Sequence, residues 1–458
     1  MSSAFPTIRR VLRSRTCRVL PKVVLVLIIL AGLAHVVLGL YWGSQVRAEL
    51  RRIEAGGEPL AFADITPPPA TDAENSYALY MRAAETTKPH MPQSNSGRNQ
   101  DWTDAQVRQV RADLVREAAP AFDLIRQAAA RPRFLSETNW SDGYAALLPQ
   151  LSKMRQLGRF LGAAAVDASD RGDQAAASEY LRLGFVVARH SAEDPGIIAV
   201  LVACAIDSIM AGATQHVLSR GPIPEARALE IAAETDRVDY HHLAGQACRS
   251  ERVLGIDLYT HVRRNESDIL TEAGADSPGK LLFWLYAYPL RPLAYLDERE
   301  YLRSMRGRER AISAGPTQRP SIPDADQKAQ WSSPPMPYLI AKLITPALQR
   351  FAFRTDQATT GRALVRTALG LELHRSDHGN YPASLAILRE SGWDVPTDIF
   401  TDGEFIYSTS GDDFTLYSVG SNAVDDGGKP VAWPSRGIDT APDQPKPVDD
   451  DMGDIVWR

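Results

Sequence analysis

The sequence predicts a mostly α-helical membrane protein with three parts: an N-terminal transmembrane helix, an irregular helical bundle, and a small α+β C-terminal domain that combines a long helix with a short antiparallel sheet. Three observations predict this fold class. Residues 23–42 form an apolar run without an acidic or strongly basic side chain. Residues 102–308 repeat alanine and leucine at the three- and four-residue spacing that core-facing helices require. Short alternating runs, typical of strands, appear after residue 396.

The apolar run is the first element. Its length is close to the roughly 20 residues that a helix needs to cross a hydrocarbon core of about 30 Å. Tyr41 and Trp42 stand at its end, where membrane-spanning helices carry interfacial aromatic side chains. Residues 1–22 carry six basic side chains and no acid, which predicts a cytoplasmic N-terminus. We therefore expect the lipid bilayer to be the partner of residues 23–42 in the cytoplasmic membrane, with the remainder of the chain extracytoplasmic.

A cleaved signal peptide is the alternative for this segment. Its apolar region would be shorter, about 7–15 residues, and a small-x-small cleavage site would follow. Here the apolar run continues into the sequence YWGSQ at residues 41–45, which is a poor cleavage site, so an uncleaved anchor is favoured. A second apolar stretch at residues 196–213 contains Asp207 and predicts a buried helix.

Composition limits the function classes. The hydrophobic share of 44% and the charged share of 23% are ordinary for a folded protein. A net charge of -5 argues against a general nucleic-acid-binding protein. The charge is unevenly distributed, because residues 394–454 carry fourteen acids and three basic side chains. The basic N-terminus and the acidic C-terminal part should therefore face different surroundings.

Segment boundaries follow from proline and polar clusters. We expect a stalk and spacer at residues 43–100, a helical domain at 101–308, a Pro/Ser-rich linker at 309–337 and the α+β domain at 338–458. Within them the apolar periodicity predicts helices at about 103–130, 144–170, 174–190, 196–218, 224–237, 240–264, 280–305 and 338–377.

Two questions about the helical domain remain open. Residues 157–188 read as two helices joined by the turn at residues 171–173 and faintly resemble a tetratricopeptide unit, yet no second copy follows at a fixed period. An irregular bundle is favoured over an α-solenoid. Cys204 and Cys248 could pair in an oxidising compartment, although their helical contexts favour two buried free thiols.

The C-terminal part shows a defined order of signals. Gly379 should end the long helix in a left-handed turn, after which Tyr381 can fold back as a packing aromatic, while Pro382 prevents the helix from continuing. Strands are predicted at residues 404–408 and 414–419, with a hairpin loop between them. We expect their aromatic side chains to enter the core, namely Phe405, Tyr407, Phe414 and Tyr417.

Five signals follow one another in the C-terminal part. They are a helix at 364–377, a Gly-Asn-Tyr-Pro turn at 379–382, a Leu-Tyr-Ser-Val-Gly strand at 416–420, an acidic loop at 425–428 and a terminal Asp-Ile-Val-Trp at 454–457. Together they resemble the globular part of the major pseudopilin of type II secretion systems. The whole chain also resembles large single-pass membrane proteins of planctomycete-type bacteria. The first resemblance implies a pseudopilin-like fold for residues 338–458.

The resemblance also implies a calcium site in the closing loop. Asn422 stands where the family commonly has Asp, Asp454 matches the Asp of the terminal Asp-Ile, and a main-chain carbonyl near Val419 would complete the set. Asp425 and Asp426 add oxygen donors nearby, and such hard ligands suit Ca²⁺ better than Zn²⁺. The alternative is a solvated acidic loop, and residues 430–448 read as an insertion within it.

The chain also departs from the pseudopilin pattern. It has no short basic leader with a processing site and no Glu early in the apolar helix, and about 300 residues separate the apolar helix from the pseudopilin-like part. These differences predict a borrowed domain and not a filament subunit.

Signals for catalysis are weak. His374 and His378 are spaced as metal ligands on a helix can be, but no third ligand is evident. Their position at the C-terminal end of a helix, where positively charged side chains are favoured, explains the two histidines equally well. His241 and His242 point to different helix faces and favour packing. No nucleophile elbow, phosphate-binding loop, dinucleotide fingerprint or paired zinc cysteines occur.

We therefore predict a membrane-anchored structural or interaction protein, linked to envelope assembly or secretion, with envelope proteins as partners and Ca²⁺ as the one cofactor. Two alternatives remain open. One is a membrane-anchored enzyme with a site between the helical and C-terminal domains, and the other is a peptide-binding α-solenoid.

Overall fold

The computed structural model describes residues 15–91, 104–145, 148–264, 266, 284–285, 287–319, 339–429 and 453–457. Helix makes up 69% of the structure, and one small antiparallel sheet accompanies it in the described part, which confirms the mostly α class. The chain divides into two compact units. Unit 1 comprises Met1–Leu60, Gly255–Ser304 and Asp324–Ile344, and unit 2 comprises Ala61–Leu254, Met305–Pro323 and Thr345–Arg458.

The described helices keep close to the predicted positions. They are α1 Arg15–Ala55, α2 Phe62–Ile65, α3 Tyr77–Thr87, α4 Asp104–Glu117, α5 Ala121–Ala129, α6 Pro149–Asp170, α7 Gln174–Ser191, α8 Ile197–Arg220, α9 Glu225–Thr235, α10 Tyr240–Arg264, α11 Arg291–Ser313, α12 Leu339–His378 and α13 Leu385–Glu390. The strands are β1 Ile406–Ser410, β2 Asp413–Ser418 and β3 Ile455–Val456.

Helix α1 joins the apolar segment to the folded chain without a break. It runs for 41 residues and is long and apolar enough to be a membrane anchor or a signal sequence. Its apolar side chains from Val23 to Leu40 are largely exposed, whereas after Trp42 a stripe at three- and four-residue spacing is buried in the protein. That stripe consists of Gly43, Val46, Glu49 and Ile53. The first half of the helix therefore exposes apolar side chains on all sides, whereas the second half packs one face against the protein.

Unit 1 is held by close helix contacts. The ring of Tyr301 on α11 lies against Gly255 on α10, where a Cβ atom would overlap it, so only glycine fits there. Tyr259 and Tyr301 place their ring centroids 5.6 Å apart, and one α10 turn later Arg263 pairs with the buried Glu298. The ion pair and the aromatic pair fix α10 against α11.

The helices of unit 2 stack in two layers. In one layer α3 contacts α6 and α6 contacts α8, while in the other α5 contacts α7 and α7 contacts α9. The turn between α6 and α7 uses Gly172 at φ 81° and Asp173, whose carboxylate accepts the amide proton of Ala176 as a helix cap. Two helical hairpins, α3 with α5 and α6 with α7, are stacked in this way, and α8 packs against both helices of the second hairpin.

Three local predictions were wrong, and proline explains two of them. The helix expected at 103–130 is broken into α4 and α5 at Pro120. The helix expected at 280–305 is interrupted, because residues 284, 285 and 287 are helical but residues 288–290 form a turn that contains Pro289, and α11 begins at Arg291. Residues 309–313, assigned to the linker, continue α11 to Ser313, where Glu309 binds Arg249 and Arg252 on α10. The rest of the predicted linker lies mostly outside the described residues.

The C-terminal part follows the predicted order. Gly379 takes a φ of 81° and ends α12, after which Tyr381 returns to pack edge-on against Phe414 with centroids 4.8 Å apart. The sheet order is β1-β2-β3, and both pairings are antiparallel. Phe405, Phe414 and Tyr417 are buried, and Tyr407 is partly buried.

One hydrophobic core serves both the stacked hairpins and the C-terminal part. Leu364, Val365 and Leu369 of α12 belong to the same cluster as Leu157 of α6 and Ile231 of α9. The boundary predicted at residue 338 therefore does not separate two cores. The apolar face of α12 is wide enough to contact the sheet and the hairpins at once, which sequence spacing alone does not reveal.

Candidate functional site

The loop at residues 420–429, which contains the acidic segment 425–428, follows the end of β2 and lies beside the start of β3. Tyr417 pairs with Val456 and Ser418 with Ile455, so the strand that leads into the loop lies beside β3. Gly420 has a φ of 66°, and a Cβ atom there would overlap the carbonyl oxygen of Gly453. Glycine is required on both counts, since the turn is left-handed and the two backbones touch.

Asn422 and Asp426 contact each other directly. The amide nitrogen Nδ2 of Asn422 donates a hydrogen bond of 2.8 Å to Oδ2 of Asp426. The Oδ1 atom of Asn422 accepts from the backbone amide of Val424, 3.1 Å away, in a local side-chain turn. The side chain expected to replace a calcium-binding aspartate is thus engaged at both its polar atoms.

Asp454 closes the loop. It is fully buried, and its two carboxylate oxygens accept backbone amides from Asp426 at 3.3 Å and Gly428 at 2.7 Å. Its own amide donates to the carbonyl of Lys429 at 2.9 Å. Burial raises the pKa of Asp454, the two amide donors oppose the rise, and the negative charges of Asp426 and Asp425 add to it.

Asp425 is tied to the sheet by a tyrosine. Its Oδ1 atom accepts the hydroxyl of Tyr417 at 2.9 Å and the amide of Gly427 at 2.9 Å. Burial and this hydrogen bond to Asp425 raise the pKa of Tyr417 to about 12, so the tyrosine stays a neutral donor. The carboxylate therefore faces the β2 strand.

The loop brings the four predicted ligands Asn422, Asp425, Asp426 and Asp454 together, but it does not arrange them as a metal cage. Each side chain directs an oxygen at a protein donor, and no group of three His, Cys, Asp or Glu side chains that could hold a metal ion occurs among the described residues. Backbone amides donate hydrogen bonds to the carboxylate oxygens of Asp425 and Asp454, the atoms that a bound cation would contact. Calcium binding stays a prediction, and the insertion at 430–448 lies outside the described residues.

The two histidines near the end of α12 stack on each other. Their ring centroids are 4.1 Å apart, and Nδ1 of His378 lies 3.0 Å from the carbonyl of His374. Partial burial and the neighbouring charge of His378 lower the pKa of His374. This is a helix-terminal pair, and no third ligand stands beside it in the described part of the chain.

The other candidates take packing roles. Nε2 of His241 lies 2.9 Å from Oδ1 of Asp356, whereas the exposed His242 contacts Gln246, so the adjacent histidines do face different sides. Cys204 and Cys248 are free and buried, and burial raises the pKa of both thiols. Neither thiol is disposed for chemistry.

Sequence reasoning missed a deeply buried ionic group. Arg362 of α12 binds both carboxylate oxygens of Asp207 on α8, with Nη2 at 2.9 Å from Oδ1, and Tyr240 donates its hydroxyl to the same carboxylate. Nη1 of Arg362 donates to the carbonyls of Glu234 and Thr235 at 3.0 and 3.2 Å. Burial by itself lowers the pKa of Arg362, but the Asp207 carboxylate raises it on balance.

A signal for this group was present in the sequence. Asp207 interrupts an otherwise apolar helix, and a lone buried acid requires a positive partner because an uncompensated charge in a core is costly. The partner, 155 residues away, could not be chosen among the many arginines from spacing. The group joins α8, α10 and α12.

Comparison with protein families, with curated proteins and with solved structures finds no match for this chain.

Proposed function

We propose that this chain is a single-pass membrane protein whose folded part lies outside the cytoplasmic membrane and acts as a structural or interaction module in envelope assembly or secretion. Its C-terminal part would be a pseudopilin-like domain adapted to that role. The main support for this proposal is that α1 continues from the apolar segment into the folded part of the chain.

The continuity of α1 is the observation that carries the proposal. The helix passes from the apolar run into the buried stripe at Gly43, Val46, Glu49 and Ile53 without interruption. Glu49 is almost fully buried and pairs with Arg303 of α11 at 2.8 Å. A signal peptide would be cut at the end of its apolar region, immediately before a segment that unit 1 uses for packing. Retention of the helix as an anchor fits this arrangement better.

The charge distribution supports the orientation. Six basic side chains and no acid precede the apolar run in residues 1–22, which favours a cytoplasmic N-terminus with the rest of the chain outside.

The use of charged residues supports a structural role. In the described core the ionic groups join helices, as Arg362 with Asp207 does in unit 2 and Arg263 with Glu298 does in unit 1. The order of α12, the Gly379 turn, the antiparallel strands and the terminal Asp454 supports the pseudopilin-like interpretation. The stacked hairpins of unit 2 support interaction as the task, since such stacks present extended surfaces.

Protease treatment of spheroplasts tests the topology. The full chain would carry one tag at its C-terminus and another at its N-terminus. We expect external protease to remove the C-terminal tag and to leave the N-terminal tag intact, and the intact mass of the untreated protein to include residues 1–22.

A charge variant provides the matched control. Replacing the six basic residues of segment 1–22 with glutamine should weaken the orientation signal and protect part of the C-terminal tag, while the fold of units 1 and 2 is unaffected. A protected C-terminal tag in the unmodified chain contradicts the proposed topology. A mature protein that begins near residue 43 would show that the helix is a signal sequence.

A further inference from the structure

The start of α11 lies against the end of the apolar segment of α1. The ring carbon Cγ of Pro292 is 3.9 Å from the point where a Cβ atom of Gly39 would stand, and the ring of Tyr295 is 3.6 Å from the corresponding point on Gly43. Both glycines, one turn apart, allow the two helices to approach closely. The first turn of α11 is therefore level with residues 39–43 of α1.

The next contacts give the direction of α11. The guanidinium of Arg299 lies 5.1 Å from the ring centroid of Trp42, and Arg303 binds Glu49. Residue numbers rise together along both helices, so α11 and this part of α1 run parallel. Residues that precede α11 consequently lie toward the apolar half of α1 and not toward its protein-packed half.

The covered seam on α1 also continues into the apolar half. Within residues 23–40, His35 and Gly39 are partly covered, whereas their neighbours are exposed. They extend the stripe of Gly43 and Val46 at a spacing of three or four residues. Since each residue rises about 1.5 Å, the seam reaches about 6 Å below Gly39 into the segment that we assign to the bilayer.

The residues immediately before α11 are aromatic and uncharged. Residues 281–290 contain no charged side chain, and Lys280 and Arg291 flank them. In their described part Trp284 is 49% exposed and Tyr288 is 54% exposed, with ring centroids 6.1 Å apart. Large neighbouring aromatic side chains with this exposure mark an interaction surface.

The backbone of this turn is suited to an apolar surrounding. The amide of Tyr288 donates to the carbonyl of Trp284 at 3.1 Å, and the amide of Leu290 donates to that of Leu285 at 2.7 Å. The amide of Leu293 then donates to the carbonyl of Leu290 at 2.8 Å. Internal pairing of these groups is what a segment in contact with lipid requires.

We propose that the aromatic turn formed by Trp284, Leu285 and residues 287–290 is a second membrane contact, which inserts its exposed Trp284 and Tyr288 into the interface of the leaflet where α1 leaves the bilayer. An uncharged run of about ten residues is too short to cross the bilayer, whereas tryptophan and tyrosine are the side chains that prefer its interface. Arg291 stands at the boundary, where it can face lipid phosphates. This inference relies on the proposed membrane anchor.

Tryptophan quenching in nanodiscs tests the proposal with the full chain. The emission of Trp284 is obtained as the difference between the unmodified protein and Trp284→Phe. We expect phosphatidylcholine brominated near the top of its acyl chains to quench this emission, phosphatidylcholine brominated near the chain ends to quench it less, and aqueous iodide to quench it little. Loss of quenching by every brominated lipid overturns the proposal, whether iodide then quenches Trp284 or a protein surface shields it.

Two further variants keep the outcomes distinguishable. Trp42→Phe isolates the emission of Trp42 at the end of the anchor, so quenching of Trp42 without quenching of Trp284 rejects the second contact and leaves the anchor standing. Quenching of neither residue rejects the anchor as well. Trp393→Phe, which removes a partly buried tryptophan of unit 2, should leave the depth dependence of the remaining emission unchanged.

Discussion

Asp207 and Asp454 are both buried carboxylates of unit 2, but the structure supports them in opposite ways. Asp207 receives a guanidinium and a tyrosine hydroxyl, so its negative charge is matched within the core. Asp454 receives two backbone amides, and the nearest charged neighbours that affect its pKa are the carboxylates of Asp426 and Asp425.

The two carboxylates therefore have different structural roles: Asp207 connects helices, whereas Asp454 holds a loop in place. A buried charge with its counter-ion fixes the helices that carry the two partners, because separating them would leave either one uncompensated. A buried carboxylate held by amides fixes only a loop, and its charge remains unbalanced. We therefore expect the first group to respond to mutation and the second to respond to cations and protons.

The largest expected effect comes from Arg362→Met. The change leaves Asp207 buried without its counter-ion, and breaking such a pair typically costs about 3–5 kcal/mol of stability. Denaturant unfolding of the full chain in detergent should show the loss as a lower midpoint. The double variant Asp207→Leu with Arg362→Met should recover most of it. A small effect of Arg362→Met alone would show that this ion pair does not hold the helices together.

Calcium is expected to act at the other carboxylate. If the closing loop takes Ca²⁺ as the family resemblance implies, the ion must displace amide donors from Asp454, and saturation at about 100 times the dissociation constant adds about 2.7 kcal/mol to stability. The thermal midpoint should then rise with Ca²⁺, fall with a chelator and respond weakly to Mg²⁺, which demands a stricter geometry. Asp454→Ala should abolish the response. An unchanged midpoint would leave the loop closed by amides alone.

Gly420→Ala tests how strictly that closure depends on backbone contact. The change combines a left-handed backbone with overlap of the Gly453 carbonyl, and strain of this kind costs about 1–3 kcal/mol. Gly411→Ala is the matched control, because Gly411 has a φ of 62° with no atom near its missing Cβ. The difference between the two midpoints measures the contact itself. Equal losses would mean that only the turn conformation matters.

The smallest expected effect concerns protons. The pKa of Asp454 is raised in the folded protein, so the folded state favours the protonated form. The stabilisation from that proton is present at pH values below the ordinary pKa of 3.8 and is lost as pH rises through the raised value. Relative to Asp454→Asn, the unmodified protein should therefore lose stability between acidic and neutral pH. A constant difference across that range would contradict the raised pKa.

Local features of the fold could be predicted from the sequence, whereas long-range pairing could not. The 3.6-residue periodicity gives α6 to α10 within a few residues, and Gly379 and Gly411 mark the turns correctly. The partner of Asp207 lies far along the chain, so many arginines were equally plausible from spacing. Pro120 and Pro289 ended helices where apolar periodicity continued, and proline geometry overrides periodicity at such points.

The candidate loop was predicted in composition but not in geometry. Asn422, Asp425, Asp426 and Asp454 lie close together in the structure, whereas their role as calcium ligands stays a prediction. The direction of each carboxylate depends on the left-handed residues Ala423, Gly427 and Gly428, which turn backbone amides toward the oxygens. Sequence spacing identifies oxygen donors, but it does not show which amides will reach them first.

The unbroken course of α1 determines how an anchored protein could meet its partners. The packed stripe of unit 1 begins at Gly43, directly after Trp42, and Glu49 follows Trp42 by seven residues, so in the proposed topology this part of the stripe lies within about 10 Å of the bilayer surface. No flexible tether intervenes, and rotation of unit 1 is coupled to rotation of the anchor. In the proposed topology, a membrane-bound partner of unit 1 would therefore meet it near the height of the lipid headgroups and in a restricted orientation, so that its search would be lateral diffusion in a plane.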